Sequence, residues 1–237
     1  MTVTELSLAD GFAALNRGDL ATAGEACKQA LAANQKHVPA HFLVGLVALE
    51  GKQRQVAHEA FKSVVTLDRD HAAAWAHLAK LNVGEGRIAA AESALREVRR
   101  IQPSDPMVIE LTGTVLNSLG EYEAAELFFE RAHQMVPQSP SALMNLGNVR
   151  VFLGKIDEAV ALFKRAIELE PNSAQCHWGL ANSEKAKDES HIKAMQGLID
   201  SGRQSKRSQG FLHYAIGKEN EDLGNWADAF SAFTQGA

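Results

Sequence analysis

The sequence predicts an all-α protein built from a repeated pair of antiparallel helices, and three observations carry that reading. Glycines at 86, 120 and 154 stand 34 residues apart, alanines at 57, 91, 125 and 159 keep the interval, and so do prolines at 103, 137 and 171. Each period divides into two segments of helical periodicity, without the period-two alternation of a half-buried strand. Finally, "GEYEAAELFFERAHQMVP" at 120–137 and "GKIDEAVALFKRAIELEP" at 154–171 share one skeleton beneath different surface residues. Self-similarity at such a period marks stacked supersecondary units rather than one central core.

The register gives units at 4–37, 38–71, 72–105, 106–139 and 140–173, so five units occupy 1–173. A degenerate sixth unit and a connection cover 174–209: "AQCHWGLAN" opens well and then decays in "SEKAKDESHIKAMQGLIDSG". A seventh unit, incomplete at its C-terminus, takes 210–237. In the fifth unit Ser139 caps, and Pro140 suits the first position of, a helix expected to run to about Phe152. Asp105-Pro106 does the same one unit earlier. Gly154 supplies the left-handed residue that ends this helix. The second helix, about Ile156 to Leu169, puts Ala159, Leu162/Phe163 and Ala166 on one face, and Pro171 prevents its continuation. Small residues in the first helices (Ala79, Gly113, Gly147, Ala181, Gly217) and second helices (Ala91, Ala125, Ala159, Ala229) let paired backbones approach closely. Two turns depart from the pattern. The second unit has Gly51 one residue early and Arg69 where Pro is usual, and the first lacks a large residue early in its opening helix.

Bulk properties narrow the function. The 237 residues are 46% hydrophobic, enough for packed cores, and the net charge of −5 gives no reason to expect nucleic acid or an anionic membrane as partner. Neither a signal peptide nor a run of roughly 18 apolar residues is visible, and two cysteines without metal spacing suit a reducing cytoplasm.

The stretch "LMNLGNVR", followed by Ala159, Phe163 and Pro171, resembles the tetratricopeptide repeat (TPR). That resemblance implies a right-handed superhelical solenoid of antiparallel helix pairs with a concave groove for a protein or extended peptide. First-helix positions not consumed by packing should line it. They are His77 and Lys80; Glu110, Thr114 and Asn117; Met144, Asn145 and Asn148; Trp178, Asn182 and Lys185; and Tyr214 and Lys218. Asparagines can donate to and accept from a peptide main chain, and a tryptophan suits an aromatic or aliphatic anchor. The alternative is that these are solvated polar residues on helix faces. The Lys/Asn pairs with which some family members hold chaperone tails are replaced here by Ala76/Lys80, Glu110/Thr114, Met144/Asn148 and Trp178/Asn182, which disfavours that partner.

Catalytic and cofactor motifs do not assemble. "GEGRIA" at 84–89 imitates a dinucleotide fingerprint but follows a helical stretch, where the fingerprint needs a strand. Gly147 to Lys155 is too widely spaced for a phosphate loop. His41, His177 and His213 share the register position of Trp75, Ile109 and Leu143, which makes them packing residues before metal ligands. Cys27 stands at the Phe163 position and reads as a small buried thiol, and "RQSKR" at 203–207 as a solvated loop. With no nucleophile–base set, the chain is not expected to be an enzyme or to carry a cofactor or metal.

The last segment adds a second resemblance. "HIKAMQGLID" and "FLHYAIGKENEDLGNWADAFSAFTQGA" resemble the repeat region that precedes the catalytic domain in bacterial TPR-containing sulfotransferases. That domain would bind 3′-phosphoadenylyl sulfate through a Gly-rich loop, which has no match here, so no catalytic residue transfers. The reading alternative to a scaffold is thus a substrate-binding or regulatory arm. Trp226, Phe230 and Phe233 are expected to leave an apolar patch at the C-terminal end, filled by a further domain, a second subunit or a crystal neighbour.

Overall fold

The computed structural model describes residues 3–237, with side chains from Leu8 onward. The expectation that the first unit lacks a large residue early in its opening helix falls outside the described side chains. Among the described residues there are fourteen helices and no strand, which is the fold class expected. The chain divides into two compact units, residues 1–119 and 120–237.

The first unit holds α1 (Val3–Asn16), α2 (Leu20–Ala33), α3 (Val38–Glu50), α4 (Arg54–Leu67), α5 (Ala72–Gly84), α6 (Ile88–Ile101) and α7 (Pro106–Ser118). Each helix packs on the next as far as α6, and α5 also packs on α7. The second holds α8 (Tyr122–Met135), α9 (Pro140–Phe152), α10 (Ile156–Leu169), α11 (Ala174–Ser183), α12 (Ser190–Asp200), α13 (Lys206–Leu223) and α14 (Trp226–Gly236). Here α8 to α11 pack in sequence, α11 and α12 both pack on α13, and α13 packs on α14.

Turn chemistry repeats with the sequence. Gly18, Gly86, Gly120, Gly154 and Gly224 end first helices with φ between +71° and +81°, a conformation that costs a side-chain-bearing residue free energy. In the second unit of the register, Gly51 has φ −74° and Lys52 takes the left-handed place at +58°. The interval of 34 is therefore kept there, and the displaced glycine serves no left-handed turn.

Two further columns hold the junctions between helix pairs. His37, His71, Asp105 and Ser139, each 34 residues after the last, cap α3, α5, α7 and α9 by accepting a backbone N–H. The two histidines do so through Nδ1, which leaves their ring proton on Nε2. Six residues upstream of the packing column, a carbonyl accepts a ring N–H. His41 reaches Gln35 at 2.8 Å, Trp75 reaches Arg69 at 2.9 Å, and His177 reaches Pro171 at 2.9 Å. Trp75 packs on a core cluster and His177 is buried, as expected, and all three rings satisfy a junction carbonyl.

The small-residue columns mark where rings meet backbone. A Cβ placed on Gly45 would lie 2.5 Å from Phe61, and one on Gly217 would lie 2.5 Å from Phe233. Cys27, at the same place as Phe61 and Phe163, is buried, and burial pushes its thiol up to about 11.

The sixth unit decays for a visible reason. Asp188, Lys193 and Gly197 stand where the glycine, alanine and phenylalanine columns fall. Helix α12 is accordingly anchored by Met195, fully buried in a cluster with Leu212, Ala215 and Ile216 of α13. One expectation is corrected here. Ser205 caps α13 by accepting the Ser208 N–H at 3.1 Å, so Lys206 and Arg207 of the basic cluster are helical, not part of an irregular loop. The Arg207 guanidinium sits 5.9 Å from the Phe211 ring.

Candidate functional site

In the first unit, the candidate residues stand on α5 and α7. Lys80 is exposed. His77 is withdrawn into the packing: its ring stacks on Phe61 at 4.7 Å and 5°, and Phe42 lies 6.0 Å away. Burial, with smaller contributions from Lys80 and His71, pushes its pKa down to about 4, so the ring is neutral at pH 7. On α7 the Thr114 hydroxyl donates to the Glu110 carbonyl at 2.9 Å, and Asn117 Oδ1 is buried without a hydrogen-bond partner.

In the second unit the candidates stand on α9, α11 and α13 and in the segment after α11. Met144 is partly buried and packs against both the Leu143–Ala166–Cys176 and the Ala159–Phe163–Leu180 clusters. Asn148 is exposed, Asn145 is half-buried, and among the described residues neither carboxamide makes a hydrogen bond. Asn182 Nδ2 donates to the Trp178 carbonyl at 2.8 Å, leaving its oxygen as the free acceptor. Trp178 meets Tyr214 edge to face at 6.0 Å, and Tyr214 meets Phe233 at 6.1 Å. Lys218 is engaged by both oxygens of Asp222 at 2.7 Å, and Asp222 also accepts the Ala186 N–H at 3.1 Å. Lys185 is exposed.

Behind this face, α11, α12 and α13 are joined by a row that local motifs could not reveal. His177 Nδ1 lies 2.7 Å from His191 Nε2, and His191 Nδ1 lies 2.5 Å from Glu219 Oε1. Glu219 and His177 are each 3% exposed. The Pro171 carbonyl only accepts, so His177 carries its proton on Nε2 and accepts through Nδ1. Burial holds His177 below its ordinary value, which favours this neutral form. His191 Nε2 then donates, and a single proton is left to share between His191 Nδ1 and Glu219. The nitrogens face one another instead of a common point, and among the described residues no His, Cys, Asp and Glu group is arranged to hold a metal ion.

At the other end of the second unit, Trp226 is 69% and Phe230 76% exposed on α14, while Phe233 is partly covered by Gly217 and Tyr214. No helix among the described residues is long and apolar enough to cross a membrane.

Comparison with known proteins agrees with the helix pattern. A family model described as tetratricopeptide repeat matches residues 48–113 and 116–183, more than half of the chain. No curated protein matches it. Among solved structures, it is similar to TTC0263, a thermophilic TPR protein in Thermus thermophilus, with TM-score 0.63 and 21% identity over 76% of this chain and 98% of that one. It is similar to human IFIT1, solved as a dimer with PPP-AAAA, with TM-score 0.77 and 17% identity over 100% of this chain and 59% of that one. It is also similar to YrrB, described as a TPR protein with an unusual peptide-binding site, with TM-score 0.56 and 15% identity over 88% of this chain and 97% of that one. At these identities the likeness carries the fold alone.

Proposed function

The chain belongs to the tetratricopeptide repeat family, and from that premise we propose that it is a non-enzymatic scaffold holding an extended peptide on the first-helix face of its second unit. The observation that carries the reading is the pair of unengaged carboxamides on α9, Asn145 and Asn148, on the helix face expected to bind. The Trp178–Tyr214 aromatic pair stands on α11 and α13. Amide side chains can pair with a peptide main chain in either sense, while the aromatic pair offers an apolar anchor of low entropy cost. Lys185 and Asn182 add polar contacts, and Met144 a deformable floor. Lys218, already held by Asp222, contributes less. In the first unit, Lys80, Glu110, Thr114 and Asn117 are the corresponding candidates. The peptide-binding site described for YrrB is in keeping with this use of the fold.

Selection of a random peptide display library on the immobilised protein tests the proposal. Peptides whose binding falls about tenfold in Trp178→Ala and in Asn148→Ala support it. A library that yields no binder, or binders indifferent to both substitutions, overturns it.

A second reading, the repeat arm of a sulfotransferase, draws on the resemblance of the C-terminal segment and on the exposure of Trp226 and Phe230. An encoding frame that continues past Ala237 into a strand, Gly-rich loop and helix supports it, and a stop codon at that point overturns it.

A further inference from the structure

A second kind of site lies away from the first-helix face. At three places a second helix and the helix pair that follows it leave a cleft between the three helices, and the sequence lines it differently each time. Between α8, α9 and α10 the cleft, of about 480 Å³, is lined by Arg150, whose guanidinium donates to Glu126 at 3.1 Å and Glu130 at 2.7 Å and lies 3.1 Å from Glu158. Between α2, α3 and α4 the Arg150 position is Ala48, and the walls are apolar.

Between α4, α5 and α6 the same place holds a cleft of about 600 Å³. Subtracting 68 from each number, Arg150 becomes Asn82, Glu126 becomes His58, Glu130 becomes Lys62 and Glu158 becomes Ala90. The internal cation is gone, both carboxylates of the preceding helix have become a histidine and a lysine, and the fourth group has shrunk to a methyl.

What remains is polar and unfilled. Asn82 is 5% exposed, lines the cleft, and its Oδ1 has no hydrogen-bond partner. His58 Nδ1 is likewise buried without one, its neighbour Glu59 standing 3.6 Å off. A buried carboxamide oxygen without a partner is uncommon in a folded protein, and here the cleft beside it has room for a donor. The walls beside it are Val65, Trp75, Leu78 and Ala94. Glu97, also lining the cleft, is engaged by Arg69 and Arg100 and so adds little repulsion. A cleft of this volume, mostly apolar with a few convergent polar groups, has the character of a small-molecule site.

We infer that the α4–α5–α6 cleft binds a small apolar carboxylate carrying a hydrogen-bond donor beside its carboxyl group, the chemistry of an apolar 2-hydroxy acid. The carboxylate meets Lys62 and His58, as Arg150 meets Glu126 and Glu130 with the charges exchanged. The hydroxyl donates to Asn82, and the apolar body lies against Trp75 and Leu78. This site is in the first unit and does not rest on the peptide-binding reading.

The probe is 3-phenyllactate, titrated into the full chain with backbone amide shifts followed by NMR. The expected result is saturable shifts confined to residues around 58–97. Binding should be about tenfold weaker for the methyl ester, which lacks the charge, and severalfold weaker for 3-phenylpropionate, which lacks the donor. Asn82→Leu should abolish binding while keeping or raising the melting temperature, because it removes an unpaired amide and fills the cleft. Lys62→Gln, at an exposed position, should weaken binding severalfold without touching the fold. Absence of saturable shifts, shifts that map elsewhere, equal binding of the methyl ester, or binding unchanged in Lys62→Gln would each overturn the proposal.

Discussion

The ring of Phe163 lies so close to Gly179 that a Cβ there would fall 2.6 Å from its Cε1. A Cβ on Gly147 would fall 2.9 Å from the same atom. A fully buried ring between two helix backbones has nowhere to retreat. Gly179→Ala is therefore expected to destabilise the second unit by about 1–3 kcal/mol through overpacking. Chemical denaturation measures it. A wild-type midpoint would mean that the α9–α11 contact is looser than the distances indicate.

Lys52 holds the left-handed conformation that glycine holds at the other turns. Lys52→Gly should raise stability by about 1 kcal/mol, since the strain of a Cβ at positive φ exceeds the entropy that glycine adds to the unfolded chain. Urea melts of the two proteins side by side decide the matter, and a lower midpoint for Lys52→Gly refutes it.

His77, with its pKa pushed down to about 4, takes up a proton more readily in the unfolded chain, where its ordinary value is about 6.5. Stability is thus fully present above pH 6.5 and is lost as pH falls toward the folded value. About 1–2 kcal/mol should disappear between pH 7 and 5, before most carboxylates titrate. His71, lowered by burial, adds to the same limb. His77→Leu should flatten it, and melting temperatures across that range read the slope.

The single proton shared by His191 and Glu219 predicts unequal effects for two substitutions of Glu219. Glu219→Gln can donate to a neutral His191 and keep all three hydrogen bonds, so it should cost less than about 1 kcal/mol at pH 8. Glu219→Leu leaves the row without its end and should cost about 2 kcal/mol or more. Equal stabilities would show that the row does not hold α12 in place.

Much of this architecture could be read directly because its signals are local. Ser139-Pro140, Gly154 and Pro171 punctuate the chain within a few residues of where helices begin and end, and α9 and α10 have the predicted bounds. The candidate face is proposed on the same local ground: position within a helix decides which side a residue occupies. What escaped was set by partners distant in sequence. His177 and Glu219 are 42 residues apart and have no common motif, and Asp188, Lys193 and Gly197 erased the columns that would have announced α12. His77 sits on the predicted face by register, yet Phe42 and Phe61, from the preceding helix pair, draw it inward. Histidine as a helix cap, seen at 37 and 71, is not a local signal, because serine and aspartate are the usual caps.

The junction bond from Trp75 also furnishes a native probe. Of three indoles, Trp75 donates to a main-chain carbonyl in the first half of the molecule, whereas Trp178 and Trp226 lie in the second, the latter open to water. Indole proton exchange and quenching therefore track the two halves independently with no introduced label. Whether they melt together or one after the other becomes a question for a single sample.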